Sequence, residues 1–215
     1  MNRLKKILVG TMLLLFAFSI SAEELKSIKL PSPQLEKGKM LMQALKERKS
    51  SRSFSSRRLP LHVLSNLLWA ACGINRPASG KRTAPSAVNW QEIDVYLADQ
   101  EGLFLYDAKD HALKPILQKD IRALTGKQAF VAEAPVNLIY VADFSKMGGD
   151  SAEEKGFYSA VDTGFISQNV YLYCASEGLS TVVRGSVDRD ALSQIMKLSS
   201  KQKVMLLQTV GYPKE

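Results

Sequence analysis

The stretch Phe157–Gly178, FYSAVDTGFISQNVYLYCASEG, constrains this chain more than any other. It contains no Pro, and its only charges are Asp162 and Glu177. Val161, Phe165, Val170, Leu172, Tyr173 and Ala175 spread over several helical faces instead of forming one stripe. A helix that is apolar nearly all round has to be buried nearly all round. At roughly 1.5 Å per residue it makes a rod of about 33 Å, the width of a small domain. Gly178 is a natural left-handed stop. Two readings fit: an ordinary core helix, or a central helix that also forms a subunit interface.

The remaining chain has to wrap such a rod. At 215 residues it suits one domain with a sizeable core, or at most two small ones. Met1–Ala22 reads as a secretory signal, with Arg3, Lys5 and Lys6 as the basic region, Ile7–Phe18 as the apolar run and Ser21-Ala22 at the cut. The apolar run is short for a membrane span. No Cys lies near the cut to take a lipid, and no Arg-Arg pair precedes the run. The expected organisation is a signal over 1–22, one domain over 23–215, and an exported, periplasmic or secreted product with no stable membrane insertion. Removal of the segment lowers the formal charge from +8 to +5, since it carries three cations and no acid. No Lys/Arg block is long enough for a nucleic-acid stripe. Cys72 and Cys174 lie in apolar helical surroundings; export permits a disulfide, but the surroundings favour two buried thiols.

Along the mature chain, Lys26–Pro33 is a polar lead-in and Gln34–Glu47 is expected as a helix with Leu35, Met42 and Leu45 on one side. Pro60 opens the next helix, in which Leu64, Leu67, Leu68 and Ala71 keep an i, i+3, i+4, i+7 rhythm up to Gly73. Asn75–Pro85 is a loop. Ile93, Val95 and Leu97 alternate in a strand that pairs with Leu103–Tyr106 as a hairpin. Leu117–Leu124 and Lys127–Ala132 are expected as short helices, and Val136–Ala142 as a central strand. After the long helix come an extended Ser180–Arg184, a helix capped by Asp188, and a last strand over Lys203–Val210. Interspersed strands and helices with one hairpin predict a layered α+β domain with a mixed sheet.

Two stretches bear chemistry. Arg48-Lys49-Ser50-Ser51-Arg52 puts three cations and two hydroxyls within five residues, a set that can surround a phosphate with charge-assisted hydrogen bonds. Alone, it also fits a solvated basic loop. Pro85-Ser86-Ala87-Val88-Asn89-Trp90-Gln91 sets hydroxyl and amide groups just before a strand, where the edge of a planar heterocycle could be read; alone, it also fits a plain turn. His62 and His111 are isolated, with no metal-ligand spacing and no triad, and read as polar helix-face residues. Tyr171 and Tyr173 read as core or interface.

Together with the long helix, these stretches resemble the nitroreductase family of FMN-dependent oxidoreductases. Arg48–Arg52 resembles its RRSxR phosphate motif, with Lys49 for the second Arg, and Pro85–Gln91 resembles PSSxNxQPW. Asp162-x-Gly164 with Gln168-Asn169, then Gly178-Leu179, resemble its central helix and following turn. Leu67–Arg76 and Arg82–Ala87 lean towards the branch that includes the SagB-type dehydrogenases.

The resemblance implies a three-layer α+β fold, its mixed, mainly antiparallel sheet flanked by helices, with the long helix at a homodimer interface. It implies bound FMN, ping-pong transfer through flavin N5, NAD(P)H as a possible co-substrate, and a nitroaromatic, quinone or similar acceptor. Arg48, Lys49 and Ser50 would hold the phosphate and ribityl chain, and Arg52 would sit near flavin N1/O2. Asn89 would bond the pyrimidine edge with Ser86 and Gln91 nearby, and Arg184 and Gly185 would turn backbone N–H groups towards O4/N5. No side chain is implied as the acid or base, and no metal. Glu92 departs from the motif's Pro. The chain also ends soon after Gly211-Tyr212-Pro213, which leaves Lys214, or Lys81 and Arg82, to supply further cations for the phosphate.

Overall fold

The computed structural model describes residues 26–214; the signal expected over Met1–Ala22 lies outside them. Seven strands form one sheet: β1 (Ile28–Lys29), β4 (Ile93–Ala98), β5 (Leu103–Asp107), β6 (Ala112–Leu117), β7 (Val136–Asp143), β8 (Ser180–Arg184) and β9 (Gln202–Gly211). Their order is β1-β6-β5-β4-β7-β9-β8 and every pairing is antiparallel. A separate small hairpin, β2 (Ile74–Arg76) with β3 (Lys81–Arg82), stands inside the expected loop. Helices are α1 (Leu41–Glu47), α2 (Leu61–Cys72), α3 (Phe130–Glu133), α4 (Ala152–Glu177) and α5 (Arg189–Ile195).

The three layers follow from strand alternation. Successive side chains of a strand face opposite sides, so Ile93, Val95 and Leu97 of β4 join one core while Tyr96 and Ala98 join the other. Strand β7 does the same, with Val136, Leu138, Tyr140 and Ala142 against Ile139 and Val141. The first core is closed by α2 and α4 through Leu64, Leu67, Leu68, Ala71, Ile166, Val170 and Cys174. The second is closed by α5 and its flanks through Val187, Leu192 and Met196. Both cysteines are buried free thiols, and burial pushes Cys72 up to about 11.

Helix α4 starts earlier than expected. Ser151 caps it by accepting from the Glu154 N–H, with Glu153 and Glu154 in the favourable first turn. It ends where Gly178 adopts φ 70°. It is not buried all round. Its inward face is mostly small and polar, with Ser159, Asp162, Thr163 and Ser167 beside Ile166, Val170 and Cys174. Phe157, Val161 and Phe165, one turn apart, are exposed.

Three further expectations change. The first helix is only Leu41–Glu47, because Gly38 takes φ 98° and breaks any earlier turn. Its inward residue is Ala44, while Leu35, Met42 and Leu45 are exposed. The segment expected as helix from Leu117 begins as the end of strand β6, followed by a single 3-10 turn, Arg122–Thr125. Pro115 hides that strand in the sequence, and it is tolerated because β1 pairs only with Ala112 and Leu113 and leaves the rest of β6 as an edge. Finally, His111 is no helix-face residue. It sits at the β5–β6 turn with φ 44°, bonding Tyr106 Oη at 2.9 Å and Pro31 O at 3.0 Å, and burial lowers its pKa.

Candidate functional site

The loop after α1 is built onto the free edge of the sheet. Strand β8 is terminal, so alternate backbone groups of it lack a ladder partner. Ser51 N–H donates to Thr181 O at 2.9 Å, and Val183 N–H donates to Tyr171 Oη at 2.9 Å. Ser180 Oγ donates to Ser51 Oγ at 3.2 Å. With the edge so occupied, the loop is fixed along the last two turns of α4.

The residues of this loop then divide. Arg48 and Ser50 converge on Tyr171: the guanidinium carbon lies 5.3 Å from the ring centroid, and Ser50 Oγ lies 2.8 Å from the phenol oxygen. Lys49 and Ser51 line a cavity of about 450 Å³ that Tyr171 also borders, together with Ser180, Thr181 and the paired Lys39 and Glu47. Arg52 is exposed. Arg48, Lys49 and Arg52 have no ion pair among the described residues. Cations, hydroxyls and the absence of a neutralising carboxylate within the loop fit a phosphate monoester.

The second loop is strained. Val88, Asn89 and Gln91 all lie at positive φ, 50°, 58° and 50°. A left-handed β-branched residue is a genuine outlier, and such residues cost on the order of 1–3 kcal/mol each. The strain is held by named bonds. Ala87 N–H donates to Asp162 Oδ2 at 2.9 Å, tying the loop to α4, and Gln91 N–H donates to Ser86 Oγ at 3.0 Å. Gln91 Nε2 donates to Asn89 Oδ1 and Gly80 O, while its Oε1 accepts from Arg82 Nε at 2.8 Å. Gln91 is thus spent inside the loop. The amide nitrogen of Asn89 and the hydroxyl proton of Ser86 have no acceptor among the described residues.

Behind this loop two carboxyls are buried together. Glu92 is fully buried, neither of its oxygens finds a hydrogen-bond partner, and Asp162 is 2% exposed. Burial, then the Asp162 carboxylate, pushes the Glu92 pKa up. Burial raises Asp162 too, opposed by the Ala87 N–H. A void of about 20 Å³ between them, reached also by Ser86, Gln91 and Arg82, is large enough for one water.

The expectation for Arg184 concerns its backbone N–H; its side chain has a separate use. Its side chain is 5% exposed and runs into the sheet, with Nε donating to Thr209 Oγ1 at 2.9 Å, Nη1 to Thr125 O at 2.6 Å and Nη2 to Asn137 Oδ1 at 2.9 Å. No carboxylate pairs with it among the described residues, and burial lowers its pKa to about 10. It locks the end of β8, leaving Gly185 exposed at the strand's exit.

One chain does not bring the two loops together. The first rests on Tyr171 and the second on Asp162, nine residues earlier on α4. That offset is about 13 Å along the axis and about half a turn around it, so the loops lie on opposite sides of the helix. A hollow of about 570 Å³ between Leu35, Trp69, Asn169 and Tyr173 touches none of the expected site residues.

Comparison with known proteins places this arrangement. The profile of the nitroreductase family matches residues 45–212. The chain belongs to the nitroreductase family. A nitroreductase-named protein of Methanocaldococcus jannaschii is 32% identical over 199 residues, covering 86% of this chain and 96% of that one. A crystal structure from Ralstonia eutropha JMP134, titled as a nitroreductase, is 42% identical with a TM-score of 0.84, covering 88% and 90%. The NADPH:FMN oxidoreductase of Vibrio harveyi, complexed with NAD+, shares the fold at 19% identity and TM-score 0.62, covering 81% of this chain and 69% of that one.

Two of the candidate substitutes for extra phosphate cations, Arg82 and Lys214, have other neighbours within the chain. Arg82 is bound to Gln91 and to Cys72 O at 3.1 Å, and so buttresses the second loop. Lys214 lines a separate hollow with Phe54, Arg122 and Glu133. The sequence reading also missed Tyr171 as the meeting point of loop and sheet edge. No periodicity reveals it, because the contact depends on a strand that follows the helix.

Proposed function

We propose that the chain is an FMN-dependent oxidoreductase, with Arg48 and Ser50 holding the phosphate and Lys49 supporting them from the other side of the loop. The observation that carries this reading is the convergence of Arg48 and Ser50 on Tyr171, which orders a cation and a hydroxyl within a loop free of carboxylates. Bound FMN would supply two-electron transfer at N5. The chain supplies charge and orientation. Arg52 places a cation for the pyrimidine end, Ser86 and Asn89 donate hydrogen bonds to the ring edge, and Gly185 offers its backbone N–H. A fixed cation favours the anionic reduced ring over the neutral oxidised one.

The active unit in this reading is a homodimer with two flavins at its interface. Because each chain turns its two loops to opposite sides of α4, a ring held by both would draw them from two copies. Exposed Phe157, Val161 and Phe165 supply the apolar contact. NAD(P)H is the proposed donor and a nitroaromatic or quinone the acceptor. The signal-like Met1–Ala22 favours a second reading. An exported chain meets little NAD(P)H and would oxidise a substrate, passing electrons to oxygen or a membrane carrier.

The purified protein's spectrum tests both. Bound flavin bleached by NAD(P)H supports the first reading, bleaching only by another donor the second, and flavin inert to every donor a binding protein without catalysis. Arg48→Ala should weaken FMN binding about tenfold to a hundredfold, the effect of losing a charged hydrogen bond. Unchanged affinity by fluorescence titration would overturn the phosphate assignment.

A further inference from the structure

Tyr171, on the long helix, bonds both the first loop and the sheet edge. Its phenol oxygen accepts from Val183 N–H at 2.9 Å, a donor that cannot be reversed. The 2.8 Å contact with its other neighbour, Ser50 Oγ, can be donated from either hydroxyl. When Tyr171 donates, its proton is used and Ser50 keeps its own for a third group. Val183 N–H, Tyr171 and Ser50 then form a short chain of hydrogen bonds that ends in a serine donor. The face of the same ring carries the Arg48 guanidinium. One side chain thus engages both a hydroxyl and a cation of the loop.

We propose that Tyr171 is a positioning residue for a phosphate group. By donating to Ser50 it frees the serine proton for a ligand, and it gives Arg48 its platform, so that both are ordered for an oxyanion before it arrives. This rests on the FMN reading above and extends it to a residue that touches no part of the ligand. The consequence is selective: Tyr171 acts on recognition of the phosphate, not of the ring. FMN and riboflavin share the ring and differ in the phosphate, so they separate the two.

The test is fluorescence titration of both flavins against the wild type, Tyr171→Phe, Ser50→Ala and the double variant. Phenylalanine keeps the platform under Arg48 and removes only the hydroxyl. Tyr171→Phe should lose about three- to tenfold in FMN affinity, the effect of one lost hydrogen bond, with riboflavin affinity unchanged. Ser50→Ala should lose a similar factor, and the double variant should bind no worse than Ser50→Ala, because both changes break one chain of bonds. Tyr171→Leu, which also removes the platform, should lose more. A Tyr171→Phe variant that keeps the full preference for FMN overturns the proposal. So does equal loss for both flavins, additive loss in the double variant, or a variant without a cooperative melt, since each makes the hydroxyl merely structural. Wild-type protein that binds neither flavin fails the FMN reading itself. Wild-type preference for FMN that survives Tyr171→Phe fails only this inference.

Discussion

Arg48 and Arg52 lie four residues apart, yet only Arg48 is held against a neighbouring ring. Arg52 stands exposed, free to follow a ligand whose charge changes. If it faces the pyrimidine end of a flavin, it interacts more strongly with the reduced anion than with the oxidised ring. Arg52→Gln should then lower the two-electron midpoint by roughly 20–45 mV with little loss of oxidised-flavin affinity. Spectroelectrochemical titration checks this, and an unchanged midpoint returns Arg52 to a solvated charge. Glu92 makes a different prediction, about pH. Its pKa is raised in the fold above the ordinary 4.5, first by burial and then by Asp162. Between those two values the folded chain keeps a proton that the unfolded chain has lost, so stability falls as pH rises through that window. Asp162 is raised as well and adds to the same slope. Glu92→Gln should flatten the decline, with its melting temperature relative to wild type improving as pH rises above 4.5. Parallel profiles for the two proteins would show that Glu92 keeps its charge.

Helix α4 reads easily as a helix and poorly as a surface. Its length, its capping Ser151 and its left-handed Gly178 are all local signals. Which faces are covered is not local. Ser159, Asp162, Thr163 and Ser167 occupy the inward face, where Asp162 accepts from the second loop's Ala87 N–H and Ser167 donates to Gly164 O of its own helix. Three large apolar residues are left outside. A run of exposed side chains one turn apart is the pattern of a helix awaiting a partner. The wild type should therefore be a dimer in light scattering at micromolar concentration and Phe165→Glu a monomer, with weaker flavin binding. A wild-type monomer would remove the interface. The same division between local and non-local signals explains the other elements. Helix α2 and strands β4 and β7 carry their period in their own residues, whereas β6 is masked by Pro115. Two-residue β1 has no sequence pattern at all and exists only because β6 offers it an edge.

At the scale of the whole molecule, the layered architecture was legible because strands buried on both faces leave apolar runs, and helices with one apolar stripe must cover them. The motif residues were legible as chemistry but not as geometry. Nothing in the order of Arg48, Ser50, Ser86 and Asn89 says that the first pair and the second pair flank opposite sides of one helix. Gln91 and Arg82 look like ligand-facing groups in sequence, and the fold uses both to hold a strained turn. Arg184 marks its position by its backbone, while its side chain is consumed by Thr125, Asn137 and Thr209.

Ser51 and Tyr171 occupy two backbone groups on the outer side of β8. A bare outer strand invites a second molecule to add its own strand, and from there the route leads to aggregates. The segment proposed to recognise an anion is thus also a guard against clumping. A phosphate-bearing ligand that tightens it would act as a folding partner, and the newly made chain is most vulnerable to its own kind in the interval before that ligand arrives.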